Sequence, residues 1–255
     1  MTFAGAAAGV SFPAMKTLQA LIFDVDGTLA DTERDGHRIA FNLAFAEHGL
    51  DWHWDERLYG ELLAVTGGKE RIRYFVQHHA TDAARRPDFD ALVAALHATK
   101  TEHYVRLVAS GQLPLRPGIA RLINEARAAG LRLAIATTTT PENVEALLRA
   151  AMAPDAMTWF EVIGAGDVVP AKKPAPDIYH WVLERLELAP DACLALEDSE
   201  NGLAASLGAG IPTLITENAY TRGQNFSGAL AVLPDLGKVD LTGIRKYINN
   251  QLPDK

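Results

Sequence analysis

Leu21-Ile22-Phe23-Asp24-Val25-Asp26-Gly27-Thr28-Leu29 carries an apolar run into two aspartates and a glycine. A short apolar run bounded by turn residues reads as a buried strand. Side chains two apart on a strand share a face. Asp24, and Asp26 if the extended geometry persists, therefore stand on one side of the strand's carboxyl end, where open α/β sheets bind ligands. Two close carboxylates repel, and one is pushed towards its protonated form unless a cation sits between them. The pattern suits a metal site, or a nucleophile beside a general acid/base. The plainer reading is a strand end with an Asx-type turn. A calcium loop is disfavoured because the glycine comes too early.

Working outward, residues 1–17 are rich in Ala and Gly and read as a disordered leader, with Met15 an alternative start. A secretory signal is not expected, because no basic segment precedes the apolar part. After the first strand, Asp31-Thr32-Glu33 opens a helical stretch ending near Gly49, and further helices are expected over 55–64, 68–79 and 88–110. Residues 32–113 thus form an all-helical insertion, and Trp52 and Trp54 are expected to pack it. Past Pro114 the pattern changes. Pro117 suits the first position of a helix closed by Gly130. Strands are expected over 131–136, 161–165, 192–196 and 212–215, with helices between them. Short connections between alternating strands and helices imply a parallel sheet covered on both faces. The fold class is α/β, a doubly wound parallel sheet. Its core comprises residues 18–31 and 114–255, and a helical cap is inserted after the first strand. Hinges fall near 30–33 and 111–117, so the cap can close over the strand ends and exclude water.

The 255 residues allow one or two domains with a real core. A net charge of −8 argues against general binding of nucleic acid or anionic membranes, so an anionic substrate needs a local positive pocket. No apolar run is long enough to span a membrane. The single cysteine, Cys193, excludes an internal disulfide and reads as a buried, inert thiol.

Three later strand ends repeat the theme of the first. Thr137-Thr138-Thr139-Thr140 joins a strand to a helix N-terminus, an arrangement that binds anions; Thr140 before Pro141 also reads as a cap. Lys172-Lys173-Pro174 places a positive charge ahead of a helix, unless the two lysines are simply solvated. Glu197-Asp198-Ser199 ends a buried strand with two acids, which suit Mg²⁺; Asp198 or Ser199 as a helix cap is the alternative.

Together these four motifs, in order from about residue 18 to 215, strongly resemble the haloacid dehalogenase-like hydrolases. The resemblance implies that Asp24 attacks phosphorus and forms an aspartyl-phosphate. Asp26 would protonate the leaving alcohol and then activate water. Thr137 and Lys173 would hold the phosphoryl oxygens. Mg²⁺ would sit on Asp24, the carbonyl of Asp26, and Asp198, with Glu197 close by. Asp31-Thr32-Glu33-Arg34-Asp35-Gly36-His37-Arg38, Thr66-Gly67-Gly68-Lys69-Glu70-Arg71, the Leu113–Gly118 stretch and Gly166-Asp167-Val168-Val169-Pro170 look like the CbbY group of that family. That resemblance implies a small-molecule sugar bisphosphate substrate, xylulose 1,5-bisphosphate, hydrolysed to xylulose 5-phosphate to clear an inhibitor of Rubisco. Lys69, Arg71, Lys100 and Arg116 are candidates for its distal phosphate, with backbone amides at Gly67 and Gly68. Thr32, His37, Thr138 and Thr139 are further substrate-side candidates, with His37 placed to bond a sugar hydroxyl.

Two rival activities stand beside this one: a β-phosphoglucomutase-like phosphotransferase and a receiver-type signalling protein. The cap sequence weighs against the first, and Asp26 and the long cap against the second. A monomer is expected, in the cytoplasm or, for a plant or algal chain, the chloroplast stroma.

Overall fold

The computed structural model describes residues 17–111 and 113–249. The expected leader therefore lies outside the described residues up to position 16, Met15 included. Six parallel strands form one sheet in the order β3-β2-β1-β4-β5-β6. They are β1 (Ala20–Phe23), β2 (Arg132–Ala136), β3 (Val162–Gly164), β4 (Cys193–Glu197), β5 (Thr213–Thr216) and β6 (Ala231–Leu233). β1 is central, pairing Ala20 to Phe23 with Arg132 to Ile135 on one side and Cys193 to Leu196 on the other.

Being covered on both faces is what makes β1 continuously apolar. Leu21 and Phe23 enter a core with Leu122, Leu147 and Ile244. Ala20 and Ile22 face Ile178, Tyr179 and Val182 on the other side. The helices supplying these layers are α5 (Ile119–Ala128), α6 (Pro141–Ala151), α7 (Asp177–Leu186), α8 (Glu200–Gly208) and α9 (Leu241–Asn249). Thr140 and Ser199 cap α6 and α8, each accepting a backbone N–H three residues on. Cys193 is buried, and desolvation pushes its thiol up to about 12, as expected of an inert residue.

Between β1 and α5, every described helix or strand is helical. A π-helical turn (Glu33–His37) leads into α1 (Arg38–Glu47), followed by α2 (Glu56–Leu62), α3 (Gly68–His79) and α4 (Phe89–Ala109). Trp54, Tyr59, Phe41 and Phe45 form a separate aromatic core here, with Trp54 fully buried. The two connections lie side by side: Ala30 bridges Leu115, and the Arg116 N–H donates to the Leu29 carbonyl. No described helix is long and apolar enough to cross a membrane.

Two expectations need correction. α5 starts at Ile119, not Pro117, because Gly118 takes φ +87° and breaks the backbone before the first turn. The Pro117 carbonyl instead accepts from Leu236 N–H. The chain after position 215 also holds two unforeseen elements, β6 and α9.

Candidate active site

β1 ends one residue before Asp24, whose N–H donates to the Leu196 carbonyl. Asp24 and Asp26 still reach one cavity of about 210 Å³, lined also by Thr137, Thr138, Lys173, Glu197 and Asp198. All four strand-end motifs therefore converge, because the parallel sheet brings its carboxyl ends to one edge.

Lys173 is the hub. Its Nζ donates to Asp24 Oδ1 at 2.7 Å, to the Ala136 carbonyl at 2.9 Å and to Glu197 Oε1 at 2.5 Å. Burial alone would lower the ammonium, but Asp24 and Glu197 outweigh it and keep the group charged. All three of its protons are committed. The same Glu197 oxygen accepts from the Tyr179 hydroxyl at 2.6 Å, and Oε2 has no hydrogen-bond partner.

Asp24, Glu197 and Asp198 are all buried, and one oxygen from each lies within 4.8 Å of the others. Burial pushes Asp24 up to about 7 against the pull of Lys173, and raises Asp198 well above the carboxylate range. Three crowded carboxyl groups, two of them driven towards protonation and one with an unmatched oxygen, suit a hard divalent cation with oxygen ligands. Gly27 makes the crowding feasible. It takes φ +89°, and a Cβ there would lie 2.2 Å from Asp198 Oδ2. Asn218 Nδ2 donates to that same oxygen at 2.7 Å, fixing the carboxylate.

Asp26 has a different environment. The Thr32 hydroxyl donates to its Oδ1 at 2.5 Å, and His37 Nε2 lies 2.7 Å from the same atom. His37 Nδ1 is 2.7 Å from Lys100 Nζ, and its ring stacks on Tyr104. Burial raises the Asp26 carboxyl, but His37, Thr32 and Lys100 together hold it well below the usual range. Burial also lowers Lys100, to about 8. These contacts correct one substrate-side expectation: both His37 nitrogens are engaged, one by Asp26 and one by Lys100, so the ring is not free for a sugar hydroxyl, while Thr32 spends its proton on Asp26.

Arg116 is a clearer correction. It is 7% exposed, and its guanidinium donates to the carbonyls of Gly27, Thr216, Glu217 and Pro234. Its Nε lies 3.2 Å from Asp31. A guanidinium so fully engaged ties loops together and leaves nothing for a distal phosphate.

The remaining cap candidates do face cavities. Arg71 is buried, donates to the Tyr59 hydroxyl at 2.8 Å and lies 3.6 Å from Glu33. Glu33 also accepts from Tyr59. Gly68, Arg71, Lys100, Thr138 and Thr139 surround a small cavity beside Asp26. Thr139 Oγ1 accepts from Asn143. Lys69 crosses from cap to core, with Nζ 2.7 Å from Asp167, and lines a neighbouring cavity of about 460 Å³. Tyr179, Asn218 and Glu33 were not legible as site residues, because their partners lie far away in sequence, and neither was His97, which only the folding of α4 brings to the cavity wall.

The family model of the haloacid dehalogenase-like hydrolases matches residues 18–210. The CbbY protein encoded on a plasmid of Cupriavidus necator is 56% identical over 220 residues, covering 86% of each chain. The crystal structure of CbbY from Rhodobacter sphaeroides in complex with phosphate is 49% identical, with a TM-score of 0.84 over 90% of this chain and 100% of that one. A mutant of that protein in complex with xylulose-(1,5)bisphosphate gives 49% identity and a TM-score of 0.83, over 89% of this chain and 99% of that one. With its acid cluster and committed lysine at the sheet edge, this chain belongs to the haloacid dehalogenase-like hydrolases, as an enzyme of the CbbY phosphatase type.

Proposed function

We propose that the enzyme hydrolyses xylulose 1,5-bisphosphate to xylulose 5-phosphate and phosphate, with Mg²⁺ as its metal. The observation that carries this reading is the Asp24 carboxylate, paired with Lys173 at 2.7 Å beside Glu197 and Asp198. The choice of sugar rests on the near relatives, one of which binds that bisphosphate.

Asp24 attacks the phosphorus. The bond from phosphorus to the sugar oxygen breaks, and Asp26 gives that oxygen a proton. The product on the protein is an aspartyl-phosphate, which splits one hard step into two. Water then attacks this phosphorus, and Asp26 takes the water's proton as phosphate leaves. Free Asp26 is ionised, because His37, Thr32 and Lys100 hold it so. It takes up one proton from solvent water as substrate binds, gives it to the leaving oxygen, and returns the proton gained from the attacking water to solvent when phosphate departs. A phosphate dianion arriving between the two aspartates raises its proton affinity, since like charges disfavour the ionised form. Mg²⁺ would be held by Asp24, Asp198 and the Asp26 carbonyl, with Glu197 close by; it offsets repulsion between phosphate and carboxylates. Thr137 and Lys173 hold the phosphoryl oxygens, and Lys173 exchanges one of its present contacts to do so. Arg71, Lys100, Lys69 and the Gly68 amide receive the distal phosphate.

The test is phosphate release with Mg²⁺ and with a chelator, across xylulose 1,5-bisphosphate, sugar monophosphates and glucose 1-phosphate. Metal-dependent release from the bisphosphate above all others is expected. Conversion of glucose 1-phosphate to glucose 6-phosphate without release would transfer the enzyme to the mutases.

A further inference from the structure

Helix α4 turns His97, Lys100 and Tyr104 along one face, at i, i+3 and i+7. Two of these three side chains support the acid/base. Lys100 Nζ lies 2.7 Å from His37 Nδ1, and the Tyr104 ring stacks on His37 with 4.0 Å between centroids. His97 has no such duty. Among the described residues its ring makes no hydrogen bond or ion pair; only its backbone carbonyl accepts one, from Thr101.

The His97 ring lies in the wall between two spaces. One is the cavity beside Asp26, lined by Lys100, Arg71 and Thr138. The other is the larger cavity lined by Lys69, Thr138 and Lys172. Gly68 is what lets the ring stand there. A Cβ at Gly68 would lie 2.7 Å from both Cδ2 and Nε2 of His97. Burial pushes the imidazole down to about 3, and the neighbouring Lys100 and Lys69 push the same way. The ring is therefore neutral, with one nitrogen donating and the other accepting.

A neutral donor–acceptor among cations has a different task from theirs. Lys69, Arg71 and Lys100 match phosphate by charge. An uncharged imidazole adds nothing to that attraction but matches a hydroxyl or carbonyl oxygen in either direction. We propose that His97 is a specificity residue that hydrogen-bonds an uncharged oxygen of the sugar, between the transferred and distal phosphates. This rests on the bisphosphate reading above. A polar group built to meet a substrate oxygen selects against molecules that lack it, because the group is then left unpaired.

The test compares kcat/KM for xylulose 1,5-bisphosphate with that for p-nitrophenyl phosphate, which has no sugar hydroxyl. His97→Leu keeps bulk and removes both nitrogens. It should lower the ratio of the two constants about tenfold, the effect of one well-formed hydrogen bond to substrate. His97→Gln, which keeps a neutral donor and acceptor, should restore most of the ratio. Gly68→Ala should lower it too, by displacing the ring. An unchanged ratio in His97→Leu, whether from no loss or from equal losses on both substrates, overturns the inference. Wild-type enzyme that cleaves p-nitrophenyl phosphate but no sugar bisphosphate overturns the substrate reading instead. His97 is then judged by the same ratio, measured on the hydroxylated monophosphate the enzyme turns over best.

Discussion

Asp24 and Asp26 are two residues apart and carry opposite perturbations. Burial pushes Asp24 up to about 7 despite Lys173, whereas the contacts of His37 and Thr32 outweigh burial at Asp26 and hold it low. On the proposed mechanism the same chemical group thus serves as a nucleophile beside a cation and as an acid/base that stays ionised until a dianion arrives. Asp24→Asn should abolish turnover while leaving the circular dichroism spectrum of the fold intact, since the amide keeps the shape of the carboxylate. Retained turnover would remove Asp24 as nucleophile. The raised values also set a pH dependence. A carboxyl whose folded value exceeds its unfolded value of 3.8 binds more protons when folded, so stability falls as pH rises from there to about 7. Asp198 acts in the same direction. Between about pH 5.5 and 8 Asp26 is ionised in both states and contributes no slope. His97, lowered by burial from its unfolded 6.5, opposes the trend but is outweighed by the two raised carboxyls together. Metal-free protein should therefore melt lower at about pH 8 than at about pH 5.5, and Mg²⁺ should raise the melting temperature more at the higher pH. Calorimetry with and without a chelator checks this; an equal Mg²⁺ effect at both values would contradict it. The acids were legible because each sits in a local motif at a strand end, and Lys173 because it stands before a proline ahead of a helix, although it lies nine residues past the end of β3. His37 and Thr32 were legible as neighbours of the site, but their bonds to Asp26 depend on how the π-helical turn folds back, which no spacing rule conveys.

Arg116 shows how a basic residue misleads when only sequence is read. Bracketed by prolines at a hinge, it looked like a phosphate ligand. In the fold it ties the loops after β1, β5 and β6 by donating to four carbonyls. Those loops were unknown from sequence, because β6 is a three-residue edge strand with no fully buried position. α9 did leave a signal, since Leu241, Ile244 and Ile248 recur on one face and are its buried residues. Arg116→Ala strands several carbonyls and should cost about 3 kcal/mol of stability. Arg116→Lys should recover little of it, because an ammonium lacks the planar fork. Denaturant unfolding measures both. Arg71→Ala tests the opposite case, a guanidinium that lines the catalytic cavity. It should raise KM for the bisphosphate about tenfold more than for a monophosphate, the scale of one charge-assisted contact. Equal increases would take Arg71 out of the distal site.

Across the whole molecule, the proposed chemistry and recognition are divided between the sheet and the helical insertion, joined at paired connections. The sheet supplies Asp24, Thr137, Lys173 and Asp198, and the helical insertion supplies Arg71, His97 and Lys100. A cavity between them works only while the insertion rests on the sheet, so the contacts that seat it belong to function as well as to stability. Two of these flank the site. Lys69 meets Asp167 on an exposed surface, where solvent and salt weaken the pair. Asn201, at the start of α8, donates to the Thr66 hydroxyl at 3.1 Å and to the Ala64 carbonyl at 3.3 Å, just before the Gly67–Gly68 turn. The general division into sheet and cap was legible, since hydrophobic period and strand signals change together near Pro114. The seating contacts were not, because Asn201 looks like any polar residue in a first helical turn. Asn201→Ala should loosen the closed arrangement without touching the reacting atoms. KM should rise about threefold to tenfold, matching the loss of a neutral hydrogen bond or two. The single-turnover rate at saturating substrate should stay within about twofold, because substrate then supplies the closing energy. A drop in that rate with KM unchanged would mean that Asn201 acts on the chemical step, and that closure is governed elsewhere, by the Tyr59–Tyr220 packing across the same boundary.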